Sequence, residues 1–281
     1  MARGITPRQP SKSGRHTAAK MSRGGSRMPK ASPPAKLKSK AVPESAPAKS
    51  ARAPKGYNPI APGRVREILQ RLDATYPGVQ CALHHKSAWE LLVATILSAQ
   101  CTDARVNMVT PVIFAKYPTP ADFAALQPEE LEPDIRSTGF FRNKSKSIVG
   151  AAKRIVNDFG GKVPDTMEDL LTIPGAARKT ANVVLGSWFH KNIGVVVDTH
   201  VHRISRRLEL TTNDDPIKIE QDLMKVVPQE KWTDFSHQII HHGRALCVAR
   251  LPRCAECPLE NVCHAADKTW STVDIHKNAQ P

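Results

Sequence analysis

Thr172-Ile173-Pro174-Gly175-Ala176-Ala177-Arg178-Lys179-Thr180-Ala181-Asn182-Val183-Val184-Leu185 sets a Pro-Gly turn directly before a run of helical character. The turn opens a new helix, whose first backbone N–H groups have no partner within the helix itself. Free N–H groups at the positive end of a helix dipole suit a phosphate. An ordinary helix–turn–helix connection has the same form, and the fragment alone does not separate the two. Lys179 falls in the first turn. The dipole disfavours an ammonium there, and burial of the side chain is expected to add to that effect. Free amine is the form of lysine that attacks carbon or builds an imine. The plainer role for Arg178 and Lys179 is contact with phosphate.

Outward from this turn the pattern stays helical. Ser87-x-x-Glu90 reads as a capping box, followed by Trp89, Leu92, Val93 and Ile96 at helical spacing. Ile148, Ala152, Ile155 and Phe159 form an apolar face that stops at Gly160-Gly161. Asp215-Pro216 is an N-cap followed by proline at the first helical position, with Ile219, Leu223 and Val226 behind it. Helical periods also run from Arg64 to Asp73 and from Trp232 to Ala245. Strand-like alternation is scarce, and Val195-Val196-Val197 is the candidate short strand. The fold class expected is all-α. After the valines, Asp198 precedes Thr199-His200-Val201-His202-Arg203 as the N-cap of another helix. A capping carboxylate stays ionised, so a cap and a catalytic anion are compatible roles.

Cys247, Cys254, Cys257 and Cys263 stand in the run CVARLPRCAECPLENVC, spaced C-x6-C-x2-C-x5-C. Four thiolates this close can ligate one metal centre. Two disulfides are the other possibility, opposed by the lack of a secretory signal. Zinc and iron–sulfur both accept four cysteines, and spacing does not choose between them.

Charge divides the 281-residue chain unevenly. Its 41 Lys+Arg outnumber 26 Asp+Glu, for a net charge of +15. Residues 1–55 hold 14 of the bases and one acid, Glu44, which leaves 27 bases and 25 acids elsewhere. The tail is rich in Pro, Ser, Ala and Gly and cannot bury enough apolar surface to offset its ordering entropy, so disorder is expected over 1–58. Such charge suits a polyanion, most simply nucleic acid. A solubilising leader or a transit peptide are the other options. Pro29, Pro33, Pro34, Pro43 and Pro47 oppose the amphipathic helix a transit peptide needs. No apolar run approaches membrane-spanning length, so no membrane partner is expected.

The run IPGAARKTANVVL, then VVVDTH, then the four-cysteine spacing, in that order, resembles the endonuclease III family of helix–hairpin–helix DNA glycosylases with β-lyase activity. LLVATILSAQCTD from Leu91 to Asp103, and Ile239 through His242-Gly243-Arg244 to Cys247, are similar to the same family. The likeness extends from about residue 62 to 266. It implies a two-lobed helical fold: a six-helix lobe over 81–191 with the helix–hairpin–helix, a cluster lobe from 59–80 and 192–270, and a flexible end at 271–281. It implies Lys179 as the nucleophile at C1′ of a damaged nucleotide, and Asp198 as its partner in activation and charge stabilisation. The four cysteines would hold a structural [4Fe–4S] cluster that organises Val248 to Arg253, so that Arg250 and Arg253 face phosphates. Gln100 would fill the space left by the extruded nucleotide. Phe140, before Phe141-Arg142-Asn143-Lys144, would wedge into the opposite strand, where a core aromatic is the plainer reading. Pro174, Gly175, Ala177, Arg178 and His200 complete the expected DNA contacts. The implied partner is duplex DNA carrying damaged pyrimidines or abasic sites, bound by a monomer. The implied location is cytoplasmic and nucleoid-associated in a bacterium, nuclear or mitochondrial in a eukaryote.

Three departures from the family pattern stand out. The hairpin is usually Gly-x-Gly, but Ala177 holds the second glycine's place, where its methyl is expected to crowd a phosphate or strain a backbone of positive φ. Leu251 replaces a frequent basic residue, and Phe140 is bulkier than the usual aliphatic wedge. Two rival functions stay open. An adenine-mismatch glycosylase needs a glutamate in the stretch Ala94-Thr95-Ile96-Leu97, which has none. A non-catalytic DNA-binding module would have no need of Lys179 and Asp198 together.

Overall fold

A computed structural model describes residues 56–271. The tail expected at 1–58 lies outside these residues except for its last three positions, as does all but the first position of the segment 271–281. Eleven α-helices and four single 3₁₀ turns make up the regular structure, with no strand among the described residues. The helices are α1 (Pro62–Thr75), α2 (Ala88–Leu97), α3 (Asp103–Lys116), α4 (Pro120–Ala125), α5 (Pro128–Ile135), α6 (Phe141–Asp158), α7 (Met167–Leu170), α8 (Arg178–Ser187), α9 (Thr199–Arg207), α10 (Pro216–Val226) and α11 (Trp232–Ala245).

Local chemistry starts and stops these helices. Ser87 Oγ accepts Glu90 N at 3.1 Å, while the returning Glu90 carboxylate takes Lys86 N at 2.6 Å rather than Ser87 N. The expected capping box at α2 is therefore shifted by one residue on its second arm. Asp215 accepts from Ile217 N and Lys218 N behind Pro216. Helix α6 ends before Gly160 and Gly161, both at positive φ, and Gly161 N closes the end on Ile155 O at 3.0 Å. Val195-Val196-Val197 forms no strand, because no other strand lies among the described residues to pair with it. Val195 and Val196 are buried as irregular chain, and Val196 N donates instead to Ser236 Oγ at 3.0 Å.

Apolar side chains gather in two clusters. The first surrounds α2, nine of whose ten residues are buried. Around it lie Ile113, Phe123, Leu131, Ile148, Ile155 and Leu185 from α3 to α8. The second joins Ile68 and Leu72 of α1 to Val201 and Ile204 of α9, Leu223 of α10 and Phe235 and Ile239 of α11. Cys247, Cys257 and Cys263 pack against this second cluster. Truncating Leu92 or Ile148 to alanine costs roughly 2–5 kcal/mol, a large part of a domain's stability. Helix α8 contributes to the first cluster and α9 to the second, and their N-termini open onto the same cavity.

Candidate functional site

Lys179, Asp198, Gln100 and His200 all line one cavity of about 680 Å³. Another, of about 660 Å³, shares Cys81 and His237 with it but contains neither Lys179 nor Asp198. The chemistry-bearing groups therefore single out the first.

Lys179 reaches the cavity from the first turn of α8. Gly175 makes that entry possible. It sits at φ +82°, and a Cβ there would lie 2.8 Å from Ser147 Cβ on α6. Ala177 stands at φ −69° and ψ 167°, extended backbone open to any residue, so the expected strain at this position is absent. The positive φ required by the hairpin is carried by Gly175 alone. Ala177 and Lys179 are both exposed, so burial does not act on the lysine as expected, whereas its place in the first helical turn is as read from sequence. Arg178 does not present a free fork to solvent. Its Nε and Nη2 donate to Glu220 of α10 at 2.7 and 3.1 Å, a pairing that raises its basicity further.

Asp198 caps α9. Its Oδ1 accepts both His200 N and Val201 N at 2.8 Å, and Oδ2 takes neither bond. His200 follows in the same turn and packs against α11, where Gly243 leaves room: a Cβ at 243 would stand 2.6 Å from His200 Nδ1. Burial lowers the His200 pKa, favouring the neutral ring. Nearer the start of α11 His237 is buried, its Nε2 is 3.0 Å from Ser187 Oγ, and desolvation lowers its pKa to about 4.

Gln100 and Phe140 occupy two loops with left-handed backbone, at φ 52° and 48°. Left-handed geometry in residues other than glycine costs energy and persists only where the surroundings impose it. Lys144 anchors the chain leading into both loops. This buried lysine of α6 donates to Leu97 O, three residues before Gln100, and to Thr138 O, two before Phe140, at 2.8 Å each. Burial lowers its pKa. Phe140 is 62% exposed, which excludes a core role. Sequence reading missed Lys144, although a lysine one helical turn before Ile148, on the apolar face of α6, was the available signal.

Cys247, Cys254, Cys257 and Cys263 line a single small cavity, and none is in a disulfide. No three His, Cys, Asp or Glu side chains among the described residues are grouped to hold a lone metal ion. Burial raises the pKa of Cys247, lifts Cys263 to about 11 and Cys257 to about 12. Two arginines of α9, also missed from sequence, secure this region. Arg203 donates to Cys247 O at 2.8 Å, and Arg207 to Cys247 Sγ at 3.2 Å and Val248 O at 2.8 Å. The nine-residue helix capped by Asp198 thus also grips the cysteine loop at its far end. Within that loop Arg250 is exposed, and Leu251 is 82% exposed at φ 52°. Arg253 is exposed but paired with Glu256 at 2.6 and 2.9 Å, a surface contact weak enough for a phosphate to displace.

The family model described as "HhH-GPD superfamily base excision DNA repair protein" covers residues 93–229. Endonuclease III of Synechocystis sp. is 56% identical over 203 residues, 72% of this chain and 93% of the relative. The Bacillus subtilis enzyme of that name is 45% identical over 206 residues, 73% of this chain and 94% of the relative. A trapped endonuclease III–DNA covalent intermediate superposes with a TM-score of 0.70 at 41% identity, covering 73% of this chain and 97% of that one. Nearly the whole length of these relatives is present, together with the hairpin and the four-cysteine loop, and the chain belongs to the endonuclease III family of HhH-GPD base excision DNA repair proteins.

Proposed function

We propose that this protein removes oxidised pyrimidines from duplex DNA through a covalent imine on Lys179 and then cuts the strand 3′ to the abasic site. One observation carries the reading: Lys179 and Asp198, from the N-termini of two different helices, line one cavity beside Gln100. A cavity of about 680 Å³ is within the range of small-ligand sites and accommodates one extruded nucleotide.

The neutral amine of Lys179 attacks C1′, and the bond from C1′ to the base breaks, so the base departs with the bonding electrons and a proton. Nitrogen then expels the ring oxygen to give an iminium. Loss of a proton from C2′ turns the iminium into an enamine, and the nitrogen then pushes electrons back to restore the iminium, form the C2′–C3′ double bond and expel the 3′ phosphate, which is β-elimination. Water finally returns the amine and releases the unsaturated aldehyde. Asp198 remains an anion beside this sequence, offsetting the positive charge that grows on the sugar and helping to strip the ammonium proton. Two first-turn bonds hold that carboxylate in place without filling Oδ2. Gln100 fills the gap in the duplex and Phe140 enters the opposite strand, both from loops tied together by Lys144.

The cysteine residues fit a [4Fe–4S] cluster. A lone zinc would draw four sulfurs to about 2.3 Å from one point. Here four free thiols line one shared space, and burial disfavours the thiolate form of Cys247, Cys257 and Cys263 until a cation is bound. Cys247, Cys254, Cys257 and Cys263 would each bind one iron, and the cluster would supply rigidity to the loop carrying Arg250 and Arg253. Retention of both Lys179 and Asp198 at the cavity disfavours a purely DNA-gripping module, and the absence of an acid from Ala94 to Leu97 at the end of α2 disfavours adenine-mismatch excision.

Borohydride reduction in the presence of duplex DNA with an oxidised pyrimidine or an abasic site is expected to yield a covalent complex. Lys179→Gln should abolish it while leaving helicity and iron content unchanged. Persistent trapping in that variant removes Lys179 as the nucleophile, and a colourless protein with stoichiometric zinc reverses the cluster assignment.

A further inference from the structure

A carboxylate outside the cavity holds the first turn of the lysine's helix. Glu220 of α10 is 4% exposed. It accepts Arg178 Nε at 2.7 Å and Nη2 at 3.1 Å, and its Oε1 also accepts Asn182 Nδ2 at 2.8 Å. Arg178 and Asn182 are four residues apart on α8 and share a face, so one acid grips the helix across its first turn. Lys179 is carried by that same turn. Space for the carboxylate exists because position 194 is glycine: a Cβ there would lie 2.1 Å from Glu220 Oε1 and 2.8 Å from Asn182 Nδ2.

Helix α8 needs this help. Its N-cap, Ala177, makes no side-chain cap bond, and its first turn carries no acid and two cations, Arg178 and Lys179. A negative charge at a helix N-terminus is stabilising, and here another helix supplies it. The bidentate pairing also engages two Arg178 nitrogens that a phosphate at the hairpin would otherwise compete for.

We propose that Glu220 is a positioning residue for Lys179: by binding Arg178 and Asn182 it fixes the turn that aims the amine, and it gives up a DNA contact at Arg178 to do so. This rests on Lys179 being the nucleophile. Glu220→Gln keeps the shape and removes the charge, and its expected effects run in opposite directions. The single-turnover rate of borohydride trapping at saturating DNA should fall about 10- to 100-fold, the scale set by a misplacement near 1 Å. Binding to duplex bearing an uncleavable abasic analogue should hold or tighten, with a salt slope steeper by about 0.9, as expected for one added phosphate contact. Arg178→Ala should slow trapping similarly without steepening the slope, and the double variant should be no slower than either single one.

A wild-type rate at saturation in Glu220→Gln overturns the proposal. So does a parallel fall of rate, affinity and melting temperature, which marks a support of the fold and nothing more. Should Glu220→Gln not fold, Arg178→Lys, which loses the fork and keeps the charge, is expected to show the slower trapping with affinity retained, and an unchanged rate there overturns the proposal equally. Failure of the wild-type protein to trap would remove Lys179's role itself, an outcome distinct from wild-type trapping that Glu220→Gln leaves unaltered.

Discussion

The first turn of α9 is fastened by its own leading residue, whereas the first turn of α8 is fastened by a residue from another helix. Asp198 takes two N–H bonds at 2.8 Å from the helix it begins. Ala177, in the equivalent place on α8, bonds nothing with its side chain, and Glu220 acts from 42 residues farther along the chain. The contrast suits the proposed division of labour. An anion that must keep its charge can double as a cap, because capping favours the charged form. An amine that must lose its proton cannot be held by an adjacent acid without stabilising the ammonium, so the acid grips its neighbour Arg178 instead.

Separating cap from charge at Asp198 tests this most severely. Asp198→Asn retains a good capping side chain and is expected to lower the trapping rate by about 10²–10⁴-fold with little change in melting temperature. Asp198→Ala should match that loss and also cost about 1 kcal/mol of stability by chemical denaturation. Equal stability of the two variants would show that the cap contributes nothing.

Gly175→Ala attacks the α8 side through its hairpin. A side chain at φ +82° costs about 1–2 kcal/mol, and the 2.8 Å approach to Ser147 adds roughly 1–3 more. A melting curve indistinguishable from wild type would mean the hairpin tolerates another backbone path.

His237 on the shared wall makes the cavity sensitive to acid. Burial, with His241 and Arg244 acting in the same sense and Asp234 opposing them, lowers its pKa to about 4. A group depressed on folding contributes stability that is complete above its unfolded pKa and disappears as pH falls through the folded value. Loss is therefore expected between about pH 6.5 and 4, amounting to roughly 3 kcal/mol at most. His237→Asn should flatten the dependence of denaturation midpoint on pH across that window, and an unaltered profile would assign the acid sensitivity elsewhere. The smallest effect expected is the most pointed. Ala177→Ser, at a backbone already in cap geometry, should add about 0.5–2 kcal/mol. It should also restore part of the trapping rate lost in Glu220→Gln. No recovery in the pair would mean that a local cap cannot substitute for the distant acid.

How much of this was legible in sequence follows from distance along the chain. Asp198, Asp215 and Gly160-Gly161 act on atoms a few residues away, and each was placed by pattern. The cysteine spacing carried over for the same reason. The Val195-Val197 run was ambiguous because β-branched residues suit both a strand and a buried irregular segment, and what distinguishes them is that no partner strand lies among the described residues. The pairing of Arg178 with Glu220 went unread because its acid partner is remote. Lys144, Arg203 and Arg207 were overlooked because their acceptors are backbone carbonyls or a sulfur brought close by folding, groups that leave no trace in composition.

Helix starts, helix ends and the Pro-Gly turn were set by the sequence alone, because short-range hydrogen bonds and steric limits decide them. Which cation faces the cavity and which is tied up, where the strained loops are anchored, and that one short helix joins the capping aspartate to the cysteine loop were decided by tertiary structure. Those outcomes depend on a buried carboxylate and buried amines finding partners, and an ionised group removed from water must accept whatever partner the packing of distant segments puts within reach.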